Sequence, residues 1–276
     1  MQLNNLLDRN DCPAIEIKNI MYDSRDKKPT SIFFCLQGIT NDGHSFITQA
    51  IDNGAVAIVH SREIRRKKEG IVYIHENDLD NAFANAVNRF FGNPSSKLKL
   101  IGITGTNGKT TIGSLIFQLL NFQYKTGYIG TLGTKTPDFQ LEPNLTTQDL
   151  VTNQQILARM VADRVNFCAF EVSSQGIELG RVNQLSFDCC IFTNLTQDHL
   201  DFHLNMESYY QAKKQLFLQL TTNGFSIINI DDPYGLRLSQ EISKKNITVS
   251  MKLSTADVYI HDVIQDKNET SFSITT

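Results

Sequence analysis

The segment that most restricts how this chain can fold is Leu98–Thr111. A run rich in branched residues (LKLIGIT) passes without interruption into Gly105-Thr106-Asn107-Gly108-Lys109-Thr110-Thr111, and a helical stretch begins at about Thr110. A strand that runs straight into a glycine loop and then a helix is the arrangement that holds nucleotide phosphates. Small residues let backbone N–H groups gather on phosphate oxygens, and the helix N-terminus adds its partial positive charge. In that reading Lys109 neutralises the outer phosphates and the Thr110 hydroxyl reaches Mg²⁺. The strict pattern requires glycine six residues before Lys109, and Ile103 stands there, so the loop is a variant of the ATP-type form.

The rest of the chain repeats the same alternation. Ser31–Leu36, Ala55–Val59 and Ile71–His75 read as strands, with helices over Ser45–Asn53, stopped by Gly54, and about Leu79–Phe91. The breaker cluster Gly92-Asn93-Pro94-Ser95-Ser96 marks a domain boundary. Beyond the loop, Phe167–Val172, Cys189–Thr193 and Phe225–Ile230 read as buried strands between helices near Gln148–Ala162, Glu207–Leu220 and Tyr234–Ser243. Val258–Ile264 and Thr270–Thr275 flank a hairpin turn at Asp266-Lys267-Asn268. The expectation is an α/β protein: a small N-terminal α/β domain over residues 1–93, then a mostly parallel, P-loop-type sheet domain over 94–276.

Composition narrows the partners. With 26 basic and 29 acidic side chains the net charge is -3, which gives no electrostatic case for nucleic acid or an anionic membrane. No apolar run approaches the roughly 18–20 residues that span a bilayer, and the N-terminus does not read as a signal peptide. The five cysteines fit neither a metal spacing nor a disulfide framework, and a reducing cytoplasm is the simple reading.

Gly105–Thr111 closely resembles the phosphate loop of the Mur ligases and their folylpolyglutamate synthetase relatives. Other segments are similar to the Mur ligases that add the third residue of the peptidoglycan stem: Asp23-Ser24-Arg25 with Asp42-Gly43-His44, Leu145-Thr146-Thr147, Glu171-Val172-Ser173-Ser174-Gln175-Gly176 with Arg181, and Thr193-Asn194-Leu195 with Asp198-His199-Leu200-Asp201 and Lys213. The resemblance implies an ATP-dependent carboxylate–amine ligase acting on UDP-N-acetylmuramoyl-dipeptide, with lysine or diaminopimelate as the incoming amine. It implies that Lys109 clamps phosphate, and that Thr110, Glu171 and His199 hold Mg²⁺ directly or through water. It implies that Lys213 is carbamylated to hold a second Mg²⁺, and that Lys109, Lys213 and His199 form the catalytic set. Thr146, Thr147, Ser173 and Arg181 would hold the muramoyl-dipeptide, and Ser24 the uridine diphosphate end.

Each role has a plainer rival. Glu171 could be a solvated strand-end carboxylate, His199 a turn histidine, and Ser24 a turn cap. Arg181 could pair with Glu178, and Lys213, beside Lys214 on an amphipathic helix, could simply face water. His44, His60, His75, His203 and His261 carry no assignment. Gln175 and Gln148 depart from the family's usual histidine and proline at those positions. The resemblance also implies three domains, so the chain is expected to be a fragment, lacking the amino-acid-binding C-terminal domain and unable to complete the reaction. An incomplete sheet would leave an apolar face uncovered. The alternatives are a folylpolyglutamate- or cyanophycin-type ligase, against which the N-terminal segments argue, or a nucleotide-sugar-binding module without catalysis.

Overall fold

Helix Leu79–Phe90 ends in Gly92 and Asn93, at φ of 76° and 52°, and Pro94 follows. Two left-handed residues and a proline cannot continue a helix, and the chain divides there into two compact units, Met1–Asn93 and Pro94–Thr276. The computed structural model describes residues 1–38, 41–198, 200–267 and 269–276.

The first unit runs α1 (Leu3–Leu7), β1 (Asn19–Met21), β2 (Ser31–Phe34), α2 (Ile47–Asp52), β3 (Ala55–His60), β4 (Val72–His75) and α3 (Leu79–Phe90). Its four strands pair in parallel in the order β1-β2-β3-β4. Strand β1 was not read from the sequence: three residues are too few to show alternation. The helix expected over Ser45–Asn53 is split into a 3₁₀ turn at Gly43–Phe46, capped by Asp42, and α2.

The second unit continues with β5 (Lys99–Thr104), α4 (Lys109–Leu120), β6 (Thr126–Gly130), β7 (Gly133–Lys135), β8 (Gln140–Leu141), α5 (Leu150–Ala162) and β9 (Phe167–Glu171). Then come α6 (Ser174–Glu178), β10 (Phe187–Phe192), α7 (Leu200–His203), α8 (Met206–Leu218) and β11 (Leu220–Asn229). It closes with α9 (Pro233–Glu241), β12 (Asn246–Ser250), β13 (Val258–Gln265) and β14 (Thr270–Thr275). One sheet orders them β14-β13-β12-β11-β10-β5-β9-β6-β7-β8, parallel from β13 to β6 and antiparallel at both edges. The protein is therefore α/β with mainly parallel sheets. Strands β6, β7, β8 and β12 were missed by the sequence reading, β6 because Gly127 and Gly130 dilute its alternation.

Strand alternation supplies both layers of the core. Leu100, Ile129, Cys168, Phe170, Cys190 and Phe192 face α5, α6, α8 and α9, while Ile103, Tyr128, Ala169, Cys189 and Ile191 face α4. Helices α5, α8 and α9 start on the side-chain caps Asp149, Asn205 and Asp232. Strand order reverses around β5, because β6 and β10 lie on opposite sides of it. That switch point opens a crevice at the carboxyl ends of β5, β9 and β10, where ligands of such sheets bind.

Gly102 leaves room in β5 for Phe187, since an added Cβ would come within 2.8 Å of its ring. Gly102→Ala is expected to cost about 1–3 kcal/mol by overpacking, and Phe187→Leu in the same chain should recover part of it. Urea unfolding of the single and double variants measures both.

Candidate active site

The glycine loop is shaped by its neighbour strand before any ligand arrives. Asn194, just past β10, accepts the Thr106 N–H on its carbonyl and the Asn107 N–H on Oδ1, both at 2.9 Å. Thr193 Oγ1 donates to Asn107 O at 2.7 Å. Gly105 sits at φ 149°, and a Cβ there would lie 1.8 Å from Thr193 Oγ1, so only glycine fits. The N–H groups of Thr106 and Asn107 are thus already engaged, which reduces the number of loop donors that could face a common anion. What remains for an anion is the first turn of α4, Lys109 to Thr111, whose N–H groups have no acceptor within the helix.

Lys109 and Lys213 meet over this loop. Each ammonium nitrogen is 2.9 Å from Gly105 O, and Lys109 Nζ also reaches Thr106 O at 2.9 Å. Lys213 is 1% exposed, lies in the middle of α8, and stands 4.5 Å from the Tyr209 ring centroid. Burial, and then repulsion from Lys109, push its amine well below the ordinary lysine value, with Asp198 pulling the other way. Burial also lowers Lys109, against the pull of Glu171 and Asp198. The neighbouring Lys214 instead pairs with Glu241 at 2.7 Å. The solvated reading fits Lys214 and fails for Lys213.

Glu171 ends β9 with no exposed surface. Thr110 Oγ1 donates to its Oε2 at 2.9 Å and Thr131 Oγ1 at 3.1 Å, while the Tyr128 hydroxyl donates to Oε1. Burial, then the bond to Glu171, raises the Tyr128 phenol, so it stays protonated as a donor. Thr131 also lies 3.1 Å from Thr146 Oγ1. Thr147 Oγ1 donates to Glu171 O at 3.1 Å, lies 3.2 Å from Ser173 Oγ, and accepts the Ser173 N–H. Arg181 donates to Thr147 O at 2.9 Å rather than pairing with Glu178. Ser173 caps α6 through the Gly176 N–H.

The structure therefore brings Lys109, Thr110, Glu171, Lys213, Thr146, Thr147, Ser173 and Arg181 to one edge of the sheet. His199 lies outside the described residues. Ser24 belongs to the first unit, where its hydroxyl donates to Gln49 Oε1 at 2.7 Å. Sequence reasoning missed Tyr128, Thr131 and Tyr209, and gave Asn194 no role beyond its place in a motif; these residues position the others. It also missed His203, whose Nε2 is 2.8 Å from Ser174 Oγ and whose ring stacks on Tyr209 at 4.7 Å. Only an aromatic within a short apolar run hinted at Tyr128.

The chemistry of these donors bears on Mg²⁺. Thr110 and Glu171 offer the hard oxygens that Mg²⁺ takes, whereas Lys213 as an amine offers none until it carries a carboxylate. Among the described residues no group of three or more His, Cys, Asp and Glu side chains gathers as a metal site, and no helix is long and apolar enough to cross a membrane.

A strand–loop–helix with a lysine pair, a strand-end glutamate and a threonine–serine rim is the kind of α/β arrangement that suits nucleotide phosphates, and comparison with known proteins narrows the class. The family described as Mur ligase middle domain matches residues 103–276, and the family described as Mur ligase family, catalytic domain, matches residues 16–90. The chain belongs to the Mur ligase family. It is similar to the UDP-N-acetylmuramoyl-L-alanyl-D-glutamate--2,6-diaminopimelate ligase of Alkaliphilus metalliredigens, with 40% identity over 95% of this chain and 53% of the relative. The ligase of the same name from Clostridium tetani is 42% identical over 86% of this chain and 49% of its own length. The chain thus spans about half the length of the curated relatives it matches. A solved ligase of that name superposes with a TM-score of 0.81 at 26% identity, over 99% of this chain and 57% of the other. MurF from Acinetobacter baumannii shares the fold, with a TM-score of 0.66 at 19% identity over 100% of this chain and 57% of the other.

Two outcomes follow from this geometry. Gly105→Ala should disrupt the loop's seat on Thr193, lowering stability by about 1–3 kcal/mol and abolishing nucleotide binding, as read by denaturant unfolding and calorimetry. Lys213 has a folded value below its unfolded one, so its unfolded form binds more protons. Its destabilising contribution is relieved as pH rises from the folded value toward the unfolded one of about 10.4. Lys213→Met should therefore be more stable than the parent at pH 7, and the advantage should shrink by pH 10 in parallel urea titrations.

Proposed function

We propose that the protein is an ATP-dependent ligase of peptidoglycan synthesis that adds the third stem amino acid to UDP-N-acetylmuramoyl-L-Ala-D-Glu. The observation that carries this reading is Lys213, an amine with 1% exposure held against the phosphate loop beside Lys109. A surface lysine would have no reason to accept that desolvation. A lowered amine is nucleophilic, and its attack on CO₂ gives a carbamate and releases a proton. The side chain is thereby converted from a base into an anion among oxygen donors. The names of the relatives favour diaminopimelate over lysine as the incoming amine. The match over residues 16–90 favours a Mur ligase over the folylpolyglutamate type. The same reading makes the reaction a cytoplasmic one.

Each residue then has a task. Lys109 and the first turn of α4 hold the β- and γ-phosphates. Thr146, Thr147, Ser173 and Arg181 form the rim that holds the dipeptide, and Ser24 serves the uridine diphosphate end. The terminal carboxylate of the dipeptide attacks the γ-phosphorus, ADP leaves, and the acyl phosphate is opened by the amine with loss of phosphate. Alignment and charge neutralisation, rather than covalent help from the protein, make up most of such catalysis. Thr110, Glu171 and His199 would hold one Mg²⁺, directly or through water, and carbamylated Lys213 a second. Bound there, Mg²⁺ neutralises charge on the transferring phosphoryl group.

The test uses ¹³C-bicarbonate. The parent should show a carbamate carbon signal that Lys213→Met lacks, and Lys109→Met should lose ATP binding by at least about tenfold in calorimetry, as expected for removing a charge-assisted contact. A chain with no carbamate signal and unchanged ATP affinity in Lys109→Met would overturn the reading.

A further inference from the structure

Strand β6 reaches the site with the composition Thr-Gly-Tyr-Ile-Gly, one large aromatic flanked by two glycines. Tyr128 lies on the α4 side of the sheet, as Glu171 does, and is 1% exposed. Two glycines make its position possible. At Gly113 of α4 an added Cβ would approach the Tyr128 ring to 3.1 Å. At Gly130 an added Cβ would come within 2.6 Å of the Tyr128 hydroxyl and 2.3 Å of Glu171 Oε1. The ring's seat and the hydroxyl's path thus both depend on absent side chains.

The two oxygens of Glu171 are served differently. Oε1 takes the Tyr128 hydroxyl, with the Thr131 N–H more distant at 3.4 Å, while Oε2 takes the hydroxyls of Thr110 and Thr131. The last torsion of a glutamate is broad and nearly two-fold, so an unpinned carboxylate would swing. We propose that Tyr128 is a positioning residue for the reaction: it pins Oε1 of Glu171 so that Oε2, beside Thr110, is the oxygen offered to the Mg²⁺–nucleotide. This rests on the reading of Glu171 and Thr110 as the Mg²⁺ side of the site. Partners that orient a metal-binding carboxylate contribute about 10–100-fold to affinity elsewhere.

The test is calorimetry of a non-hydrolysable ATP analogue, with and without Mg²⁺, on the 276-residue chain. Tyr128→Phe keeps the ring against Gly113 and Phe117 and removes only the hydroxyl. It should leave Mg²⁺-free affinity unchanged and cut the Mg²⁺-dependent gain about tenfold or more. Gly113→Ala, which displaces the ring without removing its hydroxyl, should reduce the gain in the same direction, and it decides the matter alone if Tyr128→Phe does not fold. An equal loss with and without Mg²⁺ would mean that Tyr128 acts through packing only and would overturn the inference, as would an unchanged gain. A parent whose affinity ignores Mg²⁺ would overturn the reading of the site itself, and this inference with it.

Discussion

A carboxylate taken wholly out of water is costly unless its oxygens are hydrogen-bonded, and Glu171 is such a group at the end of a central strand. Its acceptor sites are filled from three directions: Thr110 at the head of α4, Tyr128 in β6, and Thr131 in the turn after β6. The backbone carbonyl of the same residue receives Thr147. One residue thus ties the phosphate loop's helix to the threonine–serine rim, and displacing it would release both sides together.

The second constraint is the crowding of two ammonium groups on a single carbonyl, Gly105 O. Two like charges in a buried place raise each other's cost, and the more buried of them, Lys213, bears more of it. That asymmetry separates their uses. In the proposed reaction Lys109 would remain the cation for phosphate, and Lys213 would become the amine that is modified. Asn194 and Thr193 also bind the loop to β10, so its shape does not rest on the two lysines alone.

Much of the frame was readable from residue order. Leu98–Thr104 leading into Gly105–Thr111, the breaker at Gly92–Pro94, and the long buried strands each carry a local signal, and the structure places β5, α4, β9 and β10 accordingly. Segments without a local signal were lost. β1 is too short to alternate, β6 is thinned by glycines, and the helix at Ser45–Asn53 begins as a 3₁₀ turn because Asp42 caps it early.

The sequence by itself determined the strand–loop–helix, the α/β alternation and the residue types of the site, since these rest on neighbours within a few positions along the chain. Tertiary structure decided which of two adjacent lysines is buried. Lys213 and Lys214 sit on one helix with identical side chains, and only the packing of α8 against the loop turns Lys213 inward, while Glu241 of α9 draws Lys214 outward. It also decided that Tyr128 holds Glu171, across 43 positions of chain. Burial and long-range contacts of this kind are properties of the packed sheet, and no local pattern encodes them.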